Sequence, residues 1–83
     1  MAFTSPARRP RSGALSDRER EVLEQIACGH SIDEISADLF LSPHTVRTHI
    51  KNILRKMGAR TRAHAVAIAM SEGLIDRRRV GLR

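Results

Sequence analysis

Apolar positions recur at helical spacing in four segments, and short polar or glycine-containing breaks separate them. The clearest segment is 42–58, SPHTVRTHIKNILRKMG. Its Val46, Ile50, Ile53, Leu54 and Met57 fall on one side of a helix at about 100° per residue. Ser42 suits an N-cap, Pro43 fits the first helical position because its missing N–H costs nothing there, and Gly58 suits a left-handed C-cap. The other side carries His44, Arg47, Thr48, Lys51, Asn52 and Arg55. No acidic residue interrupts the segment.

The remaining helices are announced by their caps. Ser16-Asp17-Arg18-Glu19 reads as a capping box, in which hydroxyl and carboxylate each satisfy an orphan N–H, with both acids at the positive end of the helix dipole. Val22, Leu23, Ile26 and Ala27 form the inner face of that helix, Glu21 and Glu24 its acidic outer side, and Gly29 its end. Ser31-Ile32-Asp33-Glu34 repeats the device for a short second helix. Ile32, Ile35 and Leu39 face inward there, and Ser36 and Ala37 are small enough to let another helix come close. Only Phe40 and Leu41 separate this helix from Ser42, so the second and third helices must cross steeply, as in a helix-turn-helix unit. That crossing pushes the leading half of 42–58 outward.

Thr61 caps a fourth helix, with Arg62 first inside it and Ala65, Val66 and Ala69 available for the core. Its other side is also apolar, through Ala63, Ala67, Ile68 and Met70, broken by His64 and Ser71. A second apolar side implies a partner, yet alanine is equally a strong helix former, and the pattern leaves both readings open. Gly73 ends the helix, and Leu74 and Ile75 are placed to fold back on the core. The expected class is all-α with four helices.

At 83 residues the chain makes one small domain, which buries only about 60% of its unfolded surface and leaves no room for a deep catalytic cleft. Residues 1–14 hold Arg, Pro, Ser and Gly without apolar periodicity, which predicts a disordered basic arm. Arg8, Arg9 and Arg11 in it serve solubility or touch phosphates loosely. The packed unit is 15–75, and 76–83 is a basic tail. Placement of charge says more than the formal total of +6. Residues 15–41 set two arginines against seven acids, whereas 42–62 hold six cations, Arg47, Lys51, Arg55, Lys56, Arg60 and Arg62, with no acid. One positive face opposed by a negative one steers a chain onto a polyanion in a single orientation. A merely solvated helix would mix signs along its face.

Other chemistry finds little support. Cys28 is the single cysteine, read as a small hydrophobe near a helix end, so no intrachain disulfide and no thiolate metal site is expected. His30, His44, His49 and His64 form no HExxH pattern, and neither metal nor cofactor is expected. Paired carboxylates, a nucleophile with its base and a phosphate-cradling glycine loop are all missing, so an enzyme is the least supported class. No apolar run reaches the length of a membrane span, and the start lacks a secretory apolar core. Pro6 and Pro10 interrupt any amphipathic transit helix. The expectation is a cytoplasmic protein with no small-molecule ligand.

The segment from Leu15 to Ile75 resembles the DNA-binding domain of LuxR-type (GerE-like) transcription regulators, a four-helix unit containing a helix-turn-helix. The matching features are Leu15, Arg18-Glu19, Gly29, Glu34-Ile35, Leu39, Ser42, Thr45-Val46, His49, Lys56, Gly58, Arg62 and Ala65-Val66. Ser36 departs from the family's usual alanine, and Arg47 and Met57 from the commoner lysine and leucine. An arginine fork grips guanine bidentately, so Arg47 bears on base preference.

The resemblance implies sequence-specific binding of double-stranded DNA by a bacterial transcription regulator, with helix 43–57 in the major groove. Arg47, Thr48 and Lys51 would read bases; Thr45, Arg55, Lys56 and Arg62 would contact the backbone or hold the binding surface. His49 would play a supporting or phosphate role. It also favours pairing of two copies through Ala63, His64, Ala67, Ile68 and Ser71, and makes RNA polymerase a candidate partner. One face of a short helix falls short of the roughly 1,200 Å² of a stable interface, so the homodimer should be weak in solution and form on DNA. Four neutralised phosphates per protomer would give a log-log salt slope near −7, at roughly −0.9 each. Two rivals stand beside this reading. A sigma-factor-like promoter-recognition module also uses a helix-turn-helix, but the match at Arg62 and Ala65-Val66 in the fourth helix opposes it. A protein-interaction module would use the acidic face of Glu21, Glu24 and Asp38 instead. Regulators of this family usually carry a sensing domain ahead of this one, so the chain is expected to be either a fragment or a stand-alone regulator.

Overall fold

The computed structural model describes residues 15–75, so the expectations for the arm 1–14 and the tail 76–83 lie outside the described residues. Four helices follow one another: α1 (Asp17–Ala27), α2 (Ile32–Leu39), α3 (Pro43–Met57) and α4 (Arg62–Ser71). Each starts where its cap dictates. Ser16 and Ser31 both close full capping boxes with Glu19 and Glu34, Ser42 Oγ accepts the Thr45 N–H at 3.0 Å, and Thr61 Oγ1 accepts the His64 N–H at 3.0 Å. Replacing such a cap by alanine costs about 1 kcal/mol, so four of them shape a domain this small.

Val22 and Leu23 of α1, Ile35 of α2, Val46, Ile50, Ile53 and Met57 of α3, and Ala65 and Ala69 of α4 form one buried core, closed from behind by Ile75. Both α1 and α3 pack on all three other helices. The α3 helix is therefore a strut of the core on one side and a free surface on the other. Gly58 ends α3 in the left-handed region, at φ +65°, and the next turn redirects the chain into α4.

The turn between α2 and α3 has the expected two residues ahead of the Ser42 cap. Phe40 itself adopts the left-handed conformation, at φ 58°, where glycine or asparagine is usual. The Ser36 carbonyl accepts N–H bonds from both Phe40 and Leu41, which fixes the turn. Phe40 is 93% exposed, the one large apolar side chain so exposed among the described residues. Ser36, the departure from alanine, is buried, and its hydroxyl donates to the Ile32 carbonyl at 2.8 Å. A satisfied hydroxyl explains why serine is tolerated where the helices approach closely.

Three placements correct the reading of the sequence. Cys28 lies at the end of α1 as expected but is exposed. Ile68 is half-buried against the core rather than free on the far side of α4. Ala37 is exposed on α2 and does not face inward, because the contact with neighbouring helices falls on Ile35 and Ser36.

Candidate nucleic-acid interface

On α3 the core residues Val46, Ile50, Ile53 and Met57 are 5% exposed or less, while His44, Arg47, Thr48, Lys51 and Arg55 are all exposed. The outward row thus includes the three expected base readers, brought onto one surface by helical periodicity. The Thr48 hydroxyl donates to the His44 carbonyl at 3.1 Å, which leaves its methyl group and oxygen lone pairs facing outward. Arg55 donates to Asn52 Oδ1 at 3.3 Å and stays exposed. Arg60 and Arg62 extend the cationic surface onto the start of α4. Among the described residues, none of Arg47, Lys51, Arg55, Arg60 and Arg62 forms an ion pair with a carboxylate.

Lys56, expected to contact the backbone or to hold the binding surface, is the exception among these cations, because it has a carboxylate partner. Its Nζ donates to Glu19 Oε1 at 2.8 Å, and its side chain is 29% exposed. Glu19 lies on the apolar face of α1, only 5% exposed, and the same Oε1 accepts the Ser16 N–H at 3.0 Å. The ammonium is thereby turned toward the core and shared with the cap of another helix. Burial alone would push the Glu19 carboxyl up, but the Lys56 and Ser16 hydrogen bonds and the nearby charges of Lys56 and His49 outweigh it and hold the pKa below 4.5. Sequence reasoning missed this pair. The signal was present, since Glu19 stands three and four residues ahead of Val22 and Leu23, on the side that periodicity buries.

A carboxyl whose pKa is depressed by folding contributes stability above its unfolded value and loses it as the pH falls through the folded value. The expected result is a melting temperature that declines as pH is lowered from about 5 to about 3, with a shallower decline in Glu19→Gln. Glu34 is also held low, first by the Ser31 N–H, and adds to the acid sensitivity. Calorimetry of both proteins across that range checks the sign.

The acidic side is partly committed within the domain. Gln25 bridges α1 and α2, its amide nitrogen donating to Asp38 and its oxygen lying 2.9 Å from His30 Nδ1. Arg18–Glu21 and Arg20–Asp17 are exposed pairs at 3.1 and 2.7 Å, each worth little in water. On α4, Ala63, Ala67 and Ser71 form an exposed line of small residues. His64 Nδ1 accepts the Arg60 N–H at 3.1 Å and so braces the loop before α4, although the ring stays exposed. Thr45 is half-buried, its hydroxyl oxygen accepting from Ser42 at 2.9 Å. No helix among the described residues is long and apolar enough to cross a membrane, and no cluster there could hold a metal ion.

The chain is 51% identical over 67 residues to a probable transcriptional regulatory protein, NarL, of Mycobacterium tuberculosis, a stretch covering 81% of this chain and 31% of that protein. It is 39% identical over 62 residues to the spore germination protein GerE of Bacillus subtilis, covering 75% of this chain and 84% of GerE. The solved structure of the transcription factor GerE superposes with a TM-score of 0.72 at 34% identity, covering 75% of this chain and 92% of that one. The response regulator ChrA of a heme-sensing two-component system superposes with a TM-score of 0.71 at 40% identity, covering 75% of this chain and 31% of ChrA. Residues 13–69 match the family described as bacterial regulatory proteins, luxR family. These residues span most of α1 to α4, and the chain belongs to the luxR family of bacterial regulatory proteins.

Proposed function

We propose that this chain binds double-stranded DNA in a sequence-specific manner and acts in transcription regulation, with α3 in the major groove. The observation that carries this reading is the exposed cationic row of α3 and early α4, free of carboxylate partners and mounted on a domain of the luxR family. Arg47, Thr48 and Lys51 read base edges, while Arg55, Arg60 and Arg62 contact phosphates and set the register. The half-buried Thr45 lies at the N-terminus of α3, where the helix dipole favours a phosphate. Two copies pair through Ala63, His64, Ala67 and Ser71, with Ile68 contributing only the part of its surface that the core leaves open. That small face fits a dimer that forms on DNA, across half-sites about one helical turn apart. Family membership does not favour the sigma-like and protein-interaction readings.

Substitution separates the two kinds of contact. Lys51→Ala is expected to reduce the preference for the selected sequence by about 1–3 kcal/mol while leaving affinity for scrambled duplex nearly unchanged. Arg62→Ala is expected to weaken both equally. Duplex selected from a random pool by the wild-type chain, with its scrambled control, supplies the titration pair. Equal losses on both duplexes for both variants would remove the assignment.

A further inference from the structure

The Glu19–Lys56 pair raises a question that core packing leaves open. An ammonium has been withdrawn from a surface otherwise made of exposed cations and bound to a carboxylate that is 5% exposed. Two apolar side chains in those places would fill the same space without a desolvation cost, so stability alone gives weak grounds for the pair. What the ions add is direction. Apolar burial is indifferent to angle, whereas a 2.8 Å charge-assisted bond is not.

Its place on α3 shows what it directs. Steps of 3.6 residues per turn put Thr45, His49 and Asn52 within about 40° of Lys56, and all four are half-buried. They form the flank between the core stripe and the outward row. Arg47 lies on the opposite flank, nine residues upstream, or about 13 Å along the axis. A tilt of about 5° at Lys56 therefore carries Arg47 sideways by about 1 Å over that lever. Recognition side chains work within about 0.5 Å of their productive placement. On the other side, Glu19 is anchored by its own helix cap, because Oε1 also holds the Ser16 N–H. The recognition helix is thus tied to the fixed N-terminus of α1.

We propose, building on the DNA-binding reading, that Glu19 is a positioning residue for base recognition: through Lys56 it sets the tilt of α3, without touching DNA. Lys56 acts in the same way and is not a phosphate contact.

The test uses Glu19→Gln, Lys56→Gln and the double variant in the full chain, with the selected and scrambled duplexes. Glutamine still accepts the Ser16 N–H, so Glu19→Gln keeps the cap and loses only the ionic grip on Lys56. Circular dichroism at the assay temperature confirms that each variant is folded. Each single variant is expected to lower the ratio of selected to scrambled affinity about tenfold, with the salt dependence unchanged, since no phosphate contact is lost. In the double variant the two amides hydrogen-bond to each other and part of the ratio returns. Two results would overturn the inference. One is a Glu19→Gln protein with wild-type selectivity; the other is a Lys56→Gln protein with a shallower salt dependence that the second substitution does not mend. A wild-type chain that shifts no duplex even at low salt would overturn the DNA-binding reading itself, and the positioning role with it.

Discussion

Raising the salt from about 50 to about 200 mM is expected to weaken DNA binding about a thousandfold. The estimate rests on which cations remain exposed and unpaired. In the proposed DNA-binding reading Arg47 and Lys51 serve base recognition, Lys56 is held by Glu19, and Arg55, Arg60 and Arg62 are left to neutralise phosphates. Thr45 accepts and donates hydrogen bonds but carries no charge, so it releases no counterion. Three cations in each of two protomers give a log-log slope near −5, at roughly −0.9 per phosphate. Counting four contacts per protomer, as the sequence alone suggests, gives a slope near −7. Fluorescence anisotropy over that salt range separates the two values. A slope near −7 would return Lys56 to the DNA and remove it from Glu19, whereas a slope near zero would show that the cationic surface does not meet phosphate.

The difference between those slopes shows where sequence reading stops. Caps, helix faces and the short turn are local properties, spelled by residues one to four positions apart, and all four helices begin where their Ser or Thr caps place them. The outward row of α3 follows from the same periodicity. The Glu19–Lys56 bond joins residues 37 positions apart, and nothing in either helix alone names its partner. Periodicity buries Glu19, and the capping motif already gives its carboxylate a use, so its second partner goes unasked. Phe40 is hidden for another reason. A left-handed turn normally announces itself with glycine or asparagine, and a phenylalanine in that short link carries no such signal. Ile68 shows the converse: a helix that looks apolar all round still turns part of each flank toward its neighbours.

Leu23→Ala is expected to destabilise the domain by about 2–5 kcal/mol, the cost of lost apolar burial and of the cavity left behind. Leu23 is fully buried on α1, the helix that also carries Glu19 and packs on all three others. A domain of this size has roughly 0.05–0.15 kcal/mol of stability per residue, so one cavity consumes much of its margin. In a 60–100-residue domain each kcal/mol moves the melting temperature by about 4–8 °C, which predicts a fall of about 8–40 °C. Urea unfolding should show a lower midpoint with the slope unchanged, because the surface exposed on unfolding hardly alters. The effect on DNA is indirect and distinguishable from that of Lys51→Ala. Unfolded chains bind no site, so apparent affinity falls in proportion to the folded fraction and recovers as excess DNA pulls the equilibrium back. The folded molecules keep Arg47, Thr48 and Lys51 in place, and their preference for the selected sequence stays that of the wild type. A loss of that preference at a temperature where Leu23→Ala is fully folded would mean that the core steers α3 by itself, and that the ionic tie is not its main determinant.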